Sequence, residues 1–295
     1  CALMLAALPG ACTALHVPPS AAALKVFDSL YPADGYWDRN AASRKDGYWP
    51  FIAKKEEPPQ SLTYGEYPLP FFLELVEKAA RYAGLEEDYS QACMADLGSG
   101  TGRLVLWAAI NQRWKSCLGV ELLPDLHRVA TEQLALARAS ECAELIRADD
   151  VVYENASWDD AALGHLDVVF SYTTCLQDMV RDGDGVLHEL TESLGRKLRR
   201  GCIVVTTEYT LGDGFRLIES IDGQHDFIGG VSTGHVHEKV CPGEWEEEAE
   251  GGAAVGGGPL SGEEAAKRAW LARLDDPTWG EGSKRARRLD AASAK

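Results

Sequence analysis

The chain has 295 residues, 45% hydrophobic and 25% charged, enough for one sizeable globular core with flanking segments to spare. Its 29 basic residues against 46 acidic ones give a formal net charge of -17, which works against strong, sequence-blind binding to nucleic-acid phosphates and suits a basic protein partner. The eight cysteines form no CxxC pair and no zinc-like spacing, so they read as reduced thiols, with Cys93, Cys117 and Cys202 inside buried strands.

The opening run CALMLAALPGACTALHV is apolar and broken by Pro9 and Gly10. It reads either as part of a targeting peptide or as an unstructured Ala-rich start, and no fold is expected for residues 1–24. At roughly 15 residues the run is too short to span a bilayer. Residues 25–60 form an aromatic-rich extension in which DGYW occurs twice, from Asp34 to Trp37 and from Asp46 to Trp49. Packing on the sheet edge is the expectation, with a lid or acceptor-binding surface as the alternative.

From there the pattern alternates. QACMADLG reads as a buried strand, Thr101 to Gln112 as a helix, KSCLGVE as a second strand, and Pro124 to Ala139 as a helix with Pro in its first turn. AELIRAD reads as a third strand, LDVVFSY as a fourth, GDGVLHELTESLGRKLRR as a helix and GCIVVTTEY as a fifth strand. Continuous apolar strands separated by helices imply a mostly parallel sheet covered on both faces, a doubly wound α/β domain. FRLIESI and GHVHEKV then read as two strands joined by a Gly-rich loop. His235 and His237 alternate on the second of these and share a face, which permits a metal, although a pair without metal is the expectation because no third ligand is evident.

The first strand runs into DLGSGTG, with Gly98, Gly100 and Gly102 on the strand-to-helix turn. In a doubly wound sheet the ligand lies at the carboxyl ends of the strands, and bare backbone at that turn lets polarised N–H groups approach it closely. Glu121 ends the second strand, 19 residues after Gly102, where a carboxylate accepts hydrogen bonds from both hydroxyls of a ribose. Arg103 occupies the position where a pyrophosphate-binding turn carries a small residue, which argues against NAD and FAD. Asp96, at the end of the first strand, would repel a diphosphate but attract the ammonium or sulfonium of S-adenosyl-L-methionine.

DLGSGTG resembles the first motif of the class I S-adenosylmethionine-dependent methyltransferases. That resemblance implies a Rossmann-like, seven-stranded sheet ending in an antiparallel hairpin. It implies cofactor contacts from Asp96, Gly98, Ser99, Gly100, Thr101, Gly102 and Glu121, and from Asp149, or Asp150 in its place, at the adenine amino group. Upstream, SLTYGEYPLPFFLELVEKA followed by DLGSGTGRLVLWAA and GVE resembles the disruptor-of-telomeric-silencing family, the histone-lysine methyltransferases without a SET domain, over roughly residues 61–210. The resemblance implies that Tyr64, Gly65 and Glu66 fold over the methionine part of the cofactor. After the fourth strand that family has an Asn-rich aromatic segment lining a lysine channel. Here FSYTTCLQD stands in its place, so Ser171, Tyr172 and Thr173 are left to line a polar funnel without the Asn.

The expected methyltransferase domain is 61–241, and the expected activity is methyl transfer to a protein lysine, histone-like in character. Methylation of a small molecule or another side chain, and a silent adenosyl-binding module, are the alternatives. Methyl transfer from a sulfonium is an in-line displacement governed by alignment and exclusion of water. An amine acceptor must arrive neutral, and Tyr64, Glu66 or Tyr172 could take its proton. Residues 242–295, acidic and Gly-rich with one short helix at most near Gly262 to Leu274, read as a disordered tail that ends in the basic cluster KRARR. That cluster and the apolar start are compatible with an intracellular, nuclear or organellar address. The sequence leaves compartment and oligomeric state open.

Overall fold

The computed structural model describes residues 21–241, apart from 87, 182 and 226–228. The acidic tail and its KRARR cluster lie outside the described residues. Five strands, β1 (Cys93–Leu97), β2 (Ser116–Glu121), β3 (Asp150–Asn155), β4 (Val168–Ser171) and β5 (Ile203–Thr207), pair in parallel. A long hairpin, β6 (Phe215–His225) and β7 (Gly230–Lys239), adds antiparallel to β5. The order is β3-β2-β1-β4-β5-β7-β6. The chain thus starts at β1, winds outward to β3 and returns on the other side of β1 as β4. The strand order reverses between β1 and β4, which opens a crevice at their carboxyl ends.

Strand alternation divides the core between the two faces of the sheet. Met94, Val168, Phe170, Ile203 and Val205 point to one face, with α4 (Leu69–Tyr82), α5 (Arg103–Asn111) and α6 (Pro124–Ala139). Ala95, Leu97, Val169 and Val204 point to the other, under α7 (His188–Lys197). Both faces are buried, which is why the central strands read as unbroken apolar runs.

The third strand departs from expectation. A 3-10 turn at Glu141–Leu145 takes in the first three residues of the AELIRAD run, and the strand begins only at Asp150. Leu145 and Ile146 pack on the edge of the core rather than in the sheet. As an edge strand, β3 alternates buried Val151 with exposed Val152 and lacks the continuous apolar signature.

The amino-terminal residues differ as well. Helix α1 (Ala21–Leu30) starts inside the stretch expected to have no fold, and α2 (Tyr36–Gly47) and α3 (Trp49–Ala53) follow it. Phe27 is 1% exposed, with its ring centroid 4.7 Å from that of Trp107 on α5. Burying such a side chain contributes about 2–3 kcal/mol. Ala23, Phe27 and Tyr31 therefore share the main core, Tyr36 and Ala42 pack on a smaller cluster of Tyr64, Leu123 and Leu126, and Trp37 and Trp49 of the two DGYW segments remain exposed. No helix among the described residues is long and apolar enough to cross a membrane.

Candidate active site

The turn after β1 is held from below. Gly98 and Ser99 donate their N–H groups to Val120 O, and Gly100 donates to Glu121 Oε2 at 2.8 Å. The other Glu121 oxygen accepts from Leu123 N at 2.7 Å. Gly98, Gly100 and Gly102 all have positive φ, but their missing side chains serve different ends. A Cβ on Gly102 would lie 2.5 Å from the Tyr153 ring, whose hydroxyl donates to Gly102 O, and one on Gly100 would lie 2.8 Å from the Tyr64 ring. At Gly98 nothing lies within 4 Å of that position. Two of the three bare positions thus admit aromatic rings of the chain itself, and only Gly98 opens onto free space.

The YGE segment lies over this turn. Tyr64 donates to Glu66 Oε1 at 2.9 Å, and its oxygen is 3.1 Å from Thr101 Oγ1. Glu66 is buried and held by Arg39 Nε at 2.6 Å, with Arg103 Nε 3.7 Å away. Tyr31 donates to Thr101 O. Burial, reinforced by the Glu66 charge, pushes the Tyr64 phenol well above its ordinary range. Gly65 leaves room for the ring of Tyr172, which a Cβ there would approach to 3.1 Å.

Among the described residues, the buried carboxyls of Asp96 and Glu121 have no facing cation. Burial, with Glu121 adding to it, pushes Asp96 up to about 8, and Asp96 Oδ1 and Ser99 Oγ have no hydrogen-bond partner. Burial raises Glu121 to about 7 against the opposing pull of backbone N–H groups. An uncompensated buried carboxylate is costly, so this donor set fits a ligand that brings positive charge to Asp96 and hydroxyls to Glu121. Beside it lies a cleft walled by Val120, Leu123, Leu126, Ala156, Leu176 and Met179, an apolar slot suited to a purine. S-adenosylmethionine has all three features, with its ammonium and sulfonium, its ribose and its adenine. Asp96, the 98–102 turn, Glu121 and the YGE segment would hold it.

Ser171 and Tyr172, which follow from β4, line the same cleft. Ser171 donates to Leu97 O at 2.9 Å and ties β4 to β1 across the floor. The Tyr172 hydroxyl is 3.1 Å from His225 Nε2. Thr173 is fully buried and bonded to Thr207, so it lines no funnel. The structure therefore brings together Tyr64, Gly65, Glu66, Asp96, Gly98, Ser99, Gly100, Thr101, Glu121, Ser171 and Tyr172 at one crevice, with Gly102 behind it under Tyr153.

Asp149 and Asp150 do not join them. They stand at the entry end of β3, opposite the crevice. Asp149 is near Arg113 and Asp150 near Arg138, both exposed. The error follows from the misplaced third strand. At the true carboxyl end stands Asn155, whose amide donates to Glu121 O and Leu122 O, with Ala156, Ser157 and Trp158 next to it in the cleft wall. Sequence reading also missed Arg39, Tyr31 and His225, which reach the site from distant segments with no local signature.

On β7, buried His237 accepts from Leu211 N, and His235 bonds Ser220. Burial lowers His237 to about 4. Among the described residues no group of three or more His, Cys, Asp or Glu is arranged to hold a metal.

The family model described as histone methylation protein DOT1 matches residues 54–225, more than half of the chain. The chain belongs to this family. It is an S-adenosylmethionine-dependent methyltransferase. No curated protein matches the chain. Several solved structures resemble this DOT1-family chain distantly. The rRNA methyltransferase aviRa from Streptomyces viridochromogenes has 14% identity over 59% of this chain and 85% of that one, with a TM-score of 0.42. TrmN from Thermus thermophilus has 16% identity over 63% and 54%, with a TM-score of 0.42. An MtNAS mutant in complex with S-adenosylmethionine has 13% identity over 74% and 72%, with a TM-score of 0.40.

Proposed function

We propose that this DOT1-family enzyme methylates the side-chain amine of a lysine in a basic, histone-like protein. The observation that carries this reading is the family match, which spans the YGE segment, the glycine turn and Glu121. A groove lined by Glu56, Glu57 and Asp178, with Arg44 as its one cation, supports it. This groove shares Leu62, Thr63 and Tyr64 with the cofactor cleft. Together with the net charge of -17, it favours encounter with a chain rich in Lys and Arg and disfavours acidic partners.

The bound cofactor supplies an electrophilic methyl group on a positive sulfur. The protein's part is to hold it and to keep water out, which the apolar cleft wall does, and to present an acceptor nitrogen that has lost its proton. A lysine ammonium has an ordinary pKa near 10.4, so it must be deprotonated at the site. Of the three proton acceptors expected from sequence, Glu66 is committed to Arg39, and the Tyr64 proton is given to Glu66. Tyr172 is the remaining candidate.

The second reading is a small-molecule acceptor, favoured by FSYTTCLQD standing where the family has its Asn-rich aromatic segment. Incubation with methyl-tritiated S-adenosylmethionine and, separately, core histones, lysate protein and metabolite extract tests the proposal. Tritium recovered as methyl-lysine after protein hydrolysis is the expected result. Label confined to small molecules would replace the first reading with the second.

A further inference from the structure

The hydroxyl of Tyr172 reaches out of the cofactor cleft to a histidine from the far edge of the sheet. His225 ends β6, is 2% exposed, and has Nε2 3.1 Å from Tyr172 Oη. The ring of Tyr67 fixes the pair from one side, with its centroid 4.9 Å from Tyr172 and 5.6 Å, edge-on, from His225. Tyr67 is in turn tethered, its hydroxyl 3.2 Å from Ser232 Oγ, which donates to Glu208 Oε1 at 2.6 Å. Glu208 has φ +65, a left-handed conformation that a non-glycine residue rarely adopts. Strain of this kind persists where the surroundings over-determine it.

The other ionisable side chains lining the cleft are committed elsewhere. Asp96 and Glu121 face the cofactor, Glu66 is paired with Arg39, and burial drives the Cys175 thiol up to about 12. Burial also raises the Tyr172 phenol, so Tyr172 alone is a poor resting base. A phenol that passes its own proton on as it receives one escapes this limit.

We infer that His225 is a positioning residue that orients the Tyr172 hydroxyl and takes its proton as the acceptor amine surrenders one. This inference rests on the lysine reading above. With the imidazole proton on Nδ1, Nε2 accepts from Tyr172. The acceptor ammonium gives a proton to Tyr172 Oη, and the Tyr172 proton moves to His225 Nε2. The amine keeps its lone pair, the phenol remains neutral, and the positive charge passes from ammonium to imidazolium. Among the described residues, the titratable and charged groups that act on Tyr172 are Cys175, Glu208 and Tyr36, and the Tyr67 ring packs against both members of the pair.

Two measurements on the full chain test this. The first is nitrogen-15 magnetic resonance of the imidazoles, with His225 assigned by the loss of its signals in His225→Gln. In Tyr172→Phe the His225 Nε2 resonance and its titration midpoint move, while those of His235 and His237 stay in place. An unmoved His225 overturns the pair whether or not any acceptor is known. The second is tritium transfer to core histones, where His225→Gln, which can still hydrogen-bond but cannot take the proton, lowers kcat on the order of 100-fold. S-adenosylmethionine affinity by calorimetry stays at the wild-type value and shows that the variant is folded. Wild-type kcat in His225→Gln overturns the inference. If wild-type protein labels no histone, the lysine reading fails and the resonance measurement alone decides the pair.

Discussion

Glu121 Oε2 accepts the backbone N–H of Gly100 at 2.8 Å, so the acid that ends β2 also fastens the turn that ends β1. One carboxylate therefore shapes the backbone of the turn and, on the proposed reading, would present oxygen to the ribose of the cofactor. Replacing Glu121 by Ala removes both functions. Hydrogen bonds to a charged group contribute about 1.5–3 kcal/mol, so calorimetry is expected to show affinity for S-adenosylmethionine falling by roughly 10- to 100-fold. S-adenosylhomocysteine, which has the same ribose, should weaken in parallel. A loss confined to S-adenosylmethionine would contradict the ribose role.

Binding should release protons. Burial pushes Asp96 up to about 8 and Glu121 up to about 7 in the folded protein, against about 4 in an unfolded chain. For a raised folded pKa, the associated stability is full below the unfolded value and is lost as pH rises through the folded one. The cofactor-free melting temperature should therefore decline between about pH 4 and about pH 8. Bound cofactor, whose positive charge compensates the carboxylates, should flatten that decline. Calorimetry in buffers of differing ionisation enthalpy should detect net proton release near neutral pH.

The glycines separate into strained and unstrained positions. Gly100→Ala places a methyl carbon 2.8 Å from the Tyr64 ring at φ +55, which should abolish measurable cofactor binding and cost about 1–3 kcal/mol of stability. Gly195 lies within α7 with open space around it. There Gly195→Ala should stabilise by about 0.5–1 kcal/mol in urea unfolding and leave methyl transfer unchanged.

Arg39→Ala leaves Glu66 buried without its 2.6 Å partner. Stripping one member from a buried pair costs about 3–5 kcal/mol. A double-mutant cycle with Glu66→Gln should return much of this loss, because the second substitution removes the stranded charge. Additive losses would show that the two side chains act independently.

Phe27→Ala should destabilise the whole protein by about 3–5 kcal/mol, because its ring fills space against Trp107 in the main core. Unfolding should remain a single transition. A separate early transition would mark the amino-terminal helices as an independent satellite.

The sequence by itself determined the doubly wound sheet, the hairpin after β5, the glycine turn and Glu121. These features repeat a local pattern: a strand buried on both faces is continuously apolar, and a turn with positive φ admits glycine. The misplacement of β3 has the complementary cause, since an edge strand alternates and the apolar run before it packs as a turn. With it went Asp149 and Asp150, because strand direction decides which end faces the ligand. Only the tertiary structure joined Arg39 to Glu66, Tyr153 to Gly102 and His225 to Tyr172. Those contacts bridge 27, 51 and 53 residues of chain, and partners so far apart leave no periodicity or spacing for a linear reading to detect.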